Sequence, residues 1–203
     1  MNIRQAKAED ASFLSWAILT GSRGEGDIGL FDKFFDGMSE KDILKKLESL
    51  VQSSEMTMCH YKNFLVAEEG NKIIGALCGY EPRKYNYEGL FTQLAVLGVE
   101  DGKDKMQSYR LCDKDLDKNT WMIDFVAMKA GFSLDILKVL IQKNLLTARL
   151  KGYRRTQTKV FLSDLTRKMA FEKVGYSTSE ENKHDQFELD YNHAGLCILG
   201  FDL

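Results

Sequence analysis

The stretch GEGDIG at residues 24–29 has the glycine spacing of a turn that binds the pyrophosphate of a dinucleotide. Such a turn follows a strand, whereas this one follows a segment whose apolar residues Leu14, Ala17 and Ile18 recur at helical spacing. Two acidic residues between the glycines also oppose an anion. We therefore predict that residues 24–29 form a loop rather than a cofactor site.

Two further patterns suggest metal ligands. The aspartates of a calcium-binding loop are imitated at the right spacing by Asp113, Asp115, Asp117 and Asp124. However, Lys118 replaces the glycine that such a loop needs, and an apolar run occupies its second half. The histidines lie far apart, without metal-ligand spacing, at His60, His184 and His193. We predict no metal site, and histidines that are structural or exposed.

Residues 126–142, VAMKAGFSLDILKVLIQ, run from the end of an apolar strand through a turn into a long amphipathic helix. A strand, a turn and a helix N-terminus in this order can hold a phosphate group. This turn contains only one glycine, Gly131, and Asp135 follows in the first helical turn. The pattern alone leaves open whether the turn binds a phosphate-bearing cofactor or only connects two elements.

Charge is unevenly distributed along the chain. Eleven Lys and Arg face three acids from Phe125 to Gly175, whereas the formal net charge of the whole chain is −2. A basic half suggests a polyanionic ligand there, although basic helix surfaces alone would produce the same balance. The acidic total and the absence of a recognition motif argue against nucleic acid.

The chain has the composition of a soluble globular protein. No apolar run reaches the ~18 residues that would cross a membrane, and the N-terminal MNIRQAKAED lacks the apolar core of a signal peptide. The four cysteines have no paired spacing, which is typical of reduced thiols. We therefore expect a cytoplasmic protein that does not associate with membranes.

The elements that would position these residues alternate along the chain. The predicted strands are Asn2–Gln5, Phe64–Glu69, Lys72–Tyr80, Trp121–Met128, Thr156–Leu162, 175–179 and 196–202. Helices are predicted from about Asp10, from Ser39, over 133–151 and over 163–174, and the segment YEGLFTQLAVL is also compatible with a helix. Strand–helix–strand units in the second half imply parallel strands with right-handed crossovers. With no linker along the chain, the expectation is one α/β domain over residues 1–203, a mixed sheet covered by helices.

Five segments resemble those of the GNAT-family N-acetyltransferases. MAFEKVGY (169–176) is similar to the A-x-x-x-Y-E-K-x-G-F segment near the end of the family's chains, and IRQAKAEDA (3–11) to their opening strand and helix start. FLVAEEGNKIIGALCGY (64–80) resembles the family's second and third strands, and WMIDFVAM (121–128) its acyl-CoA-binding strand. The tail HDQFELDYNHAGLCIL (184–199) resembles a bacterial subgroup.

The resemblance implies a mixed, mostly antiparallel sheet whose fourth and fifth strands splay apart and hold acetyl-CoA or another acyl-CoA, without a metal. The backbone of the fourth strand would face the pantetheine arm through Phe125, Val126, Ala127 and Met128. The turn that would face the pyrophosphate comprises Gly131, Phe132, Ser133, Leu134 and Asp135.

This turn departs from the family's Gln/Arg-x-x-Gly-x-Gly/Ala pattern, because no glycine remains in its tight part. Ser133 would cap its own helix, and the charge of Asp135 would compete with the pyrophosphate. Nearby basic residues would offset part of this repulsion, namely Lys129, Lys138, Arg167 and Lys168. We therefore expect weakened or altered binding of CoA rather than its loss.

The catalytic positions implied by the resemblance are mixed. Asp124 would be the general base, directly or through a water, and alternation along the strand puts it on the face of Val126 and opposite Phe125. The alternative is a buried aspartate held by a backbone N–H. Phe171 stands where the family usually has a tyrosine acid, and Tyr176 or water would be substitutes. Arg167 stands where the family has a small alanine, and Asp164 where it often has asparagine.

The function that the resemblance implies is acyl transfer from acyl-CoA to an amine by direct attack in a ternary complex. The acceptor would be an amine-bearing small molecule, a protein N-terminus or a lysine. One alternative is a catalytically reduced protein of this fold that binds a metabolite or a protein partner, which the Phe171 position and the glycine-poor turn favour. A nucleotide-binding domain of another kind is a third. The oligomeric state stays open, a homodimer included.

Overall fold

The computed structural model describes residues 1–113, 119–130 and 134–203. The strands of this part of the chain are β1 (Asn2–Gln5), β2 (Phe64–Glu69), β3 (Lys72–Tyr80), β4 (Trp121–Met128), β5 (Arg155–Phe161), β6 (Ser177–Lys183) and β7 (Gly195–Asp202). Its helices are α1 (Ala11–Arg23), α2 (Leu30–Phe34), α3 (Glu40–Val51), α4 (Tyr87–Val96), α5 (Gly102–Lys105), α6 (Gln107–Cys112), α7 (Leu134–Leu150), α8 (Leu165–Glu172) and α9 (Asp185–Tyr191).

The strands form one sheet in the order β1-β2-β3-β4-β5-β7-β6. Only β4 and β5 are parallel neighbours, and every other neighbouring pair is antiparallel. The predicted mixed, mostly antiparallel sheet is therefore confirmed. The strand–helix–strand pattern also predicted that β5 and β6 run parallel. They do, but they are not neighbours, because β7 lies between them and is antiparallel to both.

Local sequence signals account for several of these boundaries. The hairpin of β2 and β3 turns at Gly70, whose φ of 62° is costly for other residues. Ser39 begins α3 by accepting a hydrogen bond from the backbone N of Asp42 at 3.2 Å. Asn86 begins α4 in the same way, accepting from the backbone N of Gly89 at 3.1 Å.

Two cores lie on opposite faces of the sheet. One face of β2, β3 and β4 packs against α1 to α4, and the other packs against α7 and α8. The apolar stripe predicted for α7 is buried as expected, at Leu137, Leu140, Ile141, Leu145 and Ala148. A smaller cluster joins β5 and β7 to α9 and the end of α6.

The sequence-based prediction missed four short helices. Two of them, α5 and α6, lie in a charged segment without helical periodicity, and α2 and α9 have only five and seven residues. Segments this short are stabilised by packing rather than by intrinsic propensity, so their sequences carry a weak signal. None of the helices that the structure describes is long and apolar enough to cross a membrane.

Candidate functional site

A gap opens between the central strands β4 and β5. Their parallel pairing covers only the first residues of each strand, Trp121–Thr156, Met122–Gln157 and Ile123–Thr158. Beyond these pairs, residues 124–128 and 159–161 continue without pairing to each other. One edge of β4 therefore borders an opening instead of a neighbouring strand, which is the splay that the resemblance implied.

A β-bulge lies where the two strands separate. On β3 a single residue, Leu77, faces both Phe125 and Val126 of β4. Phe125 has a φ of 46°, a left-handed conformation that costs a non-glycine residue about 1–3 kcal/mol. Strain of this kind persists only where the surroundings enforce it, and the Phe125 ring is held between Phe31 and Phe64 at centroid distances of 5.8 and 6.4 Å.

The bulge overturns the predicted orientation of Asp124. Strict alternation would place Asp124 with Val126 and opposite Phe125, but the extra residue of a bulge shifts the alternation by one. Asp124 and Phe125 both line a cavity on the inner face of the gap. Val126 instead packs toward α7 and lines a groove on the other side.

The carboxylate of Asp124 stabilises this bulge. Its Oδ1 accepts a hydrogen bond from the backbone N of Phe125 at 2.8 Å, so the side chain is a half-buried aspartate held by a backbone N–H. Burial raises the pKa of Asp124, and this outweighs the opposing effects of Lys159 and the Phe125 N–H. A raised pKa brings a carboxylate closer to the range in which it acts as a base near neutral pH.

The inner cavity is small, and its lining is about equally polar and apolar. Its volume is about 20 Å³, enough for about one water molecule. It is bounded by residues of β4, β5, β7, α1, α2, α4, α6 and α8, and its polar side chains are Ser22, Tyr87, Tyr109, Asp124, Lys159 and Arg167.

A buried ion pair fills the inner side of the gap. Nζ of Lys159 lies 2.9 Å from both carboxylate oxygens of Asp113 and 3.0 Å from the hydroxyl oxygen of Tyr87. The Tyr87 hydroxyl donates to Asp113 Oδ2 at 2.7 Å. Burial lowers the pKa of Lys159, but Asp113 and the surrounding tyrosines more than compensate, so the pKa is raised and the amine stays charged.

The groove on the other side of the gap is larger and open. It has a volume of about 270 Å³ and lies between the end of β4 and the starts of α7 and α8. Four of the predicted cofactor-binding residues line it, namely Val126, Ala127, Met128 and Leu134. Phe125 does not, because the bulge turns it to the inner cavity. Gly131, Phe132 and Ser133 lie outside the described residues.

The charged residues near the start of α7 lie in different surroundings. Asp135 is exposed in the first turn of α7, as predicted. Lys129 lines the groove, with Nζ 3.9 Å from the ring centroid of Trp16. Nζ of Lys168 lies 3.4 Å from Oε1 of Glu181, so part of the charge of Lys168 is already compensated.

Arg167 connects α8 with α1 across the gap. Its Nη1 donates to the carbonyl oxygen of Gly21 at 2.8 Å, and its Nε lies 3.2 Å from Oδ2 of Asp164. Asp164 also accepts a hydrogen bond from the backbone N of Arg167 at 3.0 Å and so begins α8. Arg167 is the one described residue that lines both the inner cavity and the outer groove.

The aromatic residues of the last motif do not face the gap. Phe171 is fully buried against α7 and packs edge-on against Tyr176 at 5.0 Å. The hydroxyl of Tyr176 is hydrogen-bonded to that of Thr156 at 2.5 Å, and burial raises its pKa. Neither aromatic side chain lines the groove or the cavity, so neither is placed to donate a proton there.

The histidines and aspartates of the metal-like patterns make structural contacts instead. Nδ1 of His60 and of His184 accepts a backbone N–H at the start of a helical turn, and Nδ1 of His193 is 2.6 Å from the hydroxyl of Ser163. Asp113 pairs with Lys159. Asp115 and Asp117 lie outside the described residues. Within residues 1–113, 119–130 and 134–203, no group of three or more His, Cys, Asp or Glu is arranged to hold a metal ion.

Sequence reasoning missed Lys159 and Tyr87 as members of the site. A signal for Lys159 existed, because it interrupts the buried end of β5 immediately before Val160 and Phe161. A lysine at such a position needs a buried partner. Nothing comparable marks Tyr87, whose hydroxyl reaches the gap only through the packing of α4.

No protein-family model matches this chain, and a search of the curated proteins also gave no match. Solved structures do resemble it. An N-acetyltransferase from Staphylococcus aureus Mu50 superposes with a TM-score of 0.69 at 16% identity, over 99% of this chain and 100% of that one. An acetyltransferase of the GNAT family from Streptococcus pneumoniae gives 0.54 at 14%, over 100% and 98%. The protein yncA from Salmonella typhimurium, solved with its cofactor acetyl-CoA, gives 0.55 at 13%, over 100% and 94%.

Proposed function

We propose that this chain, which has the fold of the GNAT acetyltransferases, transfers an acyl group from acyl-CoA to an amine. One observation carries the proposal: an open groove and a cavity containing a carboxylate meet from opposite sides at the splay of β4 and β5. Two reactants that approach each other through a sheet need such an arrangement, with a base on the side of the nucleophile.

The groove fits an acyl-CoA better than it fits a compact ligand. It runs along the unpaired edge of β4 to the start of α7, and Val126, Ala127, Met128 and Leu134 would hold the pantetheine arm. The acyl-CoA would supply a thioester that is already activated for attack. The excess of positive charge between Phe125 and Gly175 favours such a polyanionic ligand.

Asp124 would accept a proton from the ammonium of the acceptor. Its carboxylate lines the cavity on the side opposite the groove, and its raised pKa suits proton uptake. The bond to the Phe125 N–H does not prevent this role, because a carboxylate has two oxygens and about four acceptor sites. The acceptor would be a primary amine of a small molecule, a protein N-terminus or a lysine.

The second candidate is a protein that binds acyl-CoA or another ligand without transferring an acyl group. A specific observation favours it: the inner cavity holds only about 20 Å³, and Lys159, Asp113 and Tyr87 occupy the side from which an acceptor would come. An acceptor amine would have to displace part of this cluster or enter beside it.

A thermal-shift titration tests whether the protein binds acetyl-CoA. Acetyl-CoA should raise the melting temperature with increasing concentration, because a ligand that binds only the folded state stabilises it. ADP at the same concentrations is the control for unspecific anion binding. A shift equal to that of ADP would contradict an acyl-CoA site in either candidate.

Thiol release then separates the two candidates. Acetyl-CoA with a panel of primary amines should release free CoA, and Asp124→Asn should reduce this release about 10²- to 10⁴-fold while sparing the thermal shift. Acetyl-CoA binding without thiol release for any amine or peptide would favour the second candidate.

A further inference from the structure

Arg167 occupies the junction of the two compartments. It alone among the described residues borders both the outer groove and the inner cavity. If an acyl group passes from a thioester in the groove to a nucleophile in the cavity, the reacting carbon must lie where the two spaces meet. A group at that junction is therefore next to the bond that breaks.

The guanidinium is held firmly but has donors to spare. Gly21 accepts from Nη1, and Asp164 lies beside Nε. An arginine carries five N–H donors in a rigid fork and stays protonated in proteins. One hydrogen bond, to Gly21, and one ion-pair contact, to Asp164, hold the group, and among the described residues the structure gives Nη2 no hydrogen-bond partner.

The side chains that the resemblance implies as acids, and Lys159, are not placed to donate a proton at the junction. Phe171 has no proton to give, and the Tyr176 hydroxyl is committed to Thr156 in the core. Lys159 is cationic, but its three protons are directed to the two oxygens of Asp113 and to the Tyr87 hydroxyl. Position 171, where the resemblance implies the acid, therefore has no proton donor.

We propose that Arg167 is a catalytic residue that stabilises the thiolate of CoA as it departs, in place of a proton donor. The proposal rests on the proposed function. It explains why a large charged side chain stands where the resemblance implies a small alanine, with the buried carboxylate of Asp164 beside its Nε.

The step balances without a further reactant. Asp124 takes one proton from the acceptor's ammonium, and the lone pair of the neutral amine forms the new C–N bond. The C–S bond breaks with its electron pair on sulfur, and Arg167 compensates that charge through N–H donors without losing a proton. The second proton of the attacking nitrogen ends on sulfur, so the products are an amide and a free thiol.

The test measures the pKa of the CoA thiol in the bound state, which requires no turnover. CoA labelled with carbon-13 next to the sulfur reports thiol ionisation by NMR across a pH titration. An ordinary thiol has a pKa of about 8.5, and a cation in contact with it lowers the pKa by about one unit or more. The other charged side chains that line the two compartments are Asp164 at the start of α8, Asp124 from β4, Lys159 from β5, and Glu25 and Lys129 at the groove, and all are retained in the comparison.

Arg167→Met should return the pKa of the bound thiol to the value of free CoA. Lys173→Met is the matched control, since it removes one positive charge from an exposed position just after α8, and it should leave the lowered value unchanged. Arg167→Lys should keep part of the shift, because the charge remains but the fork and its reach are lost.

The outcomes separate this inference from the proposed function. A bound thiol with an ordinary pKa, or a lowered pKa that Arg167→Met leaves in place, would overturn the role of Arg167 while an acyl-CoA site stands. CoA that does not bind the wild-type protein would overturn both. A variant that unfolds is recognised by its lost melting transition, and Arg167→Lys then decides.

Discussion

Lys159 and Asp113 form an ion pair inside the molecule, with Nζ 2.9 Å from each carboxylate oxygen and both side chains 2% exposed. The pair joins β5 to the residue that follows α6, on the inner side of the splay. Because both charges are removed from water, each depends on the other for compensation. The pair therefore contributes to the stability of the protein, and Lys159 also forms part of the cavity wall on the side from which an acceptor would enter.

Breaking this pair on one side should be more damaging than replacing both partners. Lys159→Met leaves the Asp113 carboxylate buried without a cation, and we expect a loss of about 3–5 kcal/mol in the free energy of unfolding. The double variant Lys159→Met, Asp113→Leu should lose less than the sum of its single variants, since it buries no unpaired charge. Urea unfolding measures all of them. Additive losses would show that the two side chains do not depend on each other.

Asp124 should make stability depend on pH in a direction set by its raised pKa. A carboxylate whose pKa is higher in the folded state stabilises the fold below its unfolded pKa of about 3.9, and this stabilisation is lost as the pH rises through the folded pKa. Asp124→Asn lacks the effect, although its amide oxygen still accepts from the Phe125 N–H. The stability of Asp124→Asn relative to wild type should therefore rise as the pH increases above about 4.

Urea unfolding at several pH values measures this difference, with Asp36→Asn, at an exposed aspartate, as the control. A difference that stays constant with pH, or falls, would show that the folded protein does not raise the pKa of Asp124.

Much of the architecture was predictable because its signals are local. The β2–β3 hairpin follows from two apolar runs separated at Gly70, and the α7 core from apolar residues at helical spacing. The bulge at Phe125 was not predictable. Nothing in WMIDFVAM calls for a positive φ, and the conformation is enforced by aromatic neighbours on α2 and β2 that are distant in the chain.

The candidate site was predictable only in part, for the same reason. Asp124 stands out because it is a carboxylate in an apolar strand. Its partners Lys159 and Arg167 reach the gap from β5 and α8, and the Lys159–Asp113 pair spans 46 positions of the sequence. The sequence analysis expects Arg167 to offset the repulsion between Asp135 and a pyrophosphate, and gives no sign that Arg167 also donates to the carbonyl oxygen of Gly21. Contacts of this range depend on the packed fold and leave no periodicity to read.

Introducing a tyrosine at position 171, where the GNAT family usually has one, should not supply a catalytic acid. Phe171 lies on α8 and is fully buried against α7, so Phe171→Tyr would place a hydroxyl in the core, away from both the groove and the cavity. An unsatisfied buried hydroxyl costs about 1–3 kcal/mol, and we expect this loss in urea unfolding with no gain in thiol release. Phe13→Tyr, at a partly exposed position, is the control and should cost little. Faster turnover in Phe171→Tyr would show that this side chain reaches the reacting atoms.

Removing the charge of Asp135 should strengthen the binding of acetyl-CoA modestly. Asp135 is exposed in the first turn of α7, where its charge competes with a diphosphate for the helix N-terminus. Exposed charge pairs contribute about 0.2–1 kcal/mol, so Asp135→Asn should lower the Kd up to about fivefold, and less at high salt. Asp185→Asn makes the same change in the first turn of α9 and should leave the Kd as it is. Weaker binding in Asp135→Asn would contradict the repulsion argument.

Gly21 in α1 should not tolerate an added methyl group. A Cβ added there would lie 2.6 Å from Cα and 2.8 Å from the carbonyl carbon of Phe125, closer than real contacts come, and both atoms belong to a backbone that cannot rotate aside. Gly21→Ala must therefore move α1 away from the bulge, which also pulls the Gly21 carbonyl from Arg167. Overpacking of this kind costs about 1–3 kcal/mol, whereas alanine gains ~1 kcal/mol over glycine in a helix, so we expect a net loss of up to about 2 kcal/mol in the free energy of unfolding.

The same substitution in α4 should have the opposite sign. A Cβ at Gly89 would meet only the side-chain oxygen of Asn86, at 3.9 Å, so Gly89→Ala should raise the free energy of unfolding by up to about 1 kcal/mol. If Gly21→Ala were as stable as Gly89→Ala, α1 would not be pressed against the bulge. Neither the packing of α1 against the bulge nor the hydrogen bond from Arg167 to Gly21 would then be needed to shape the gap.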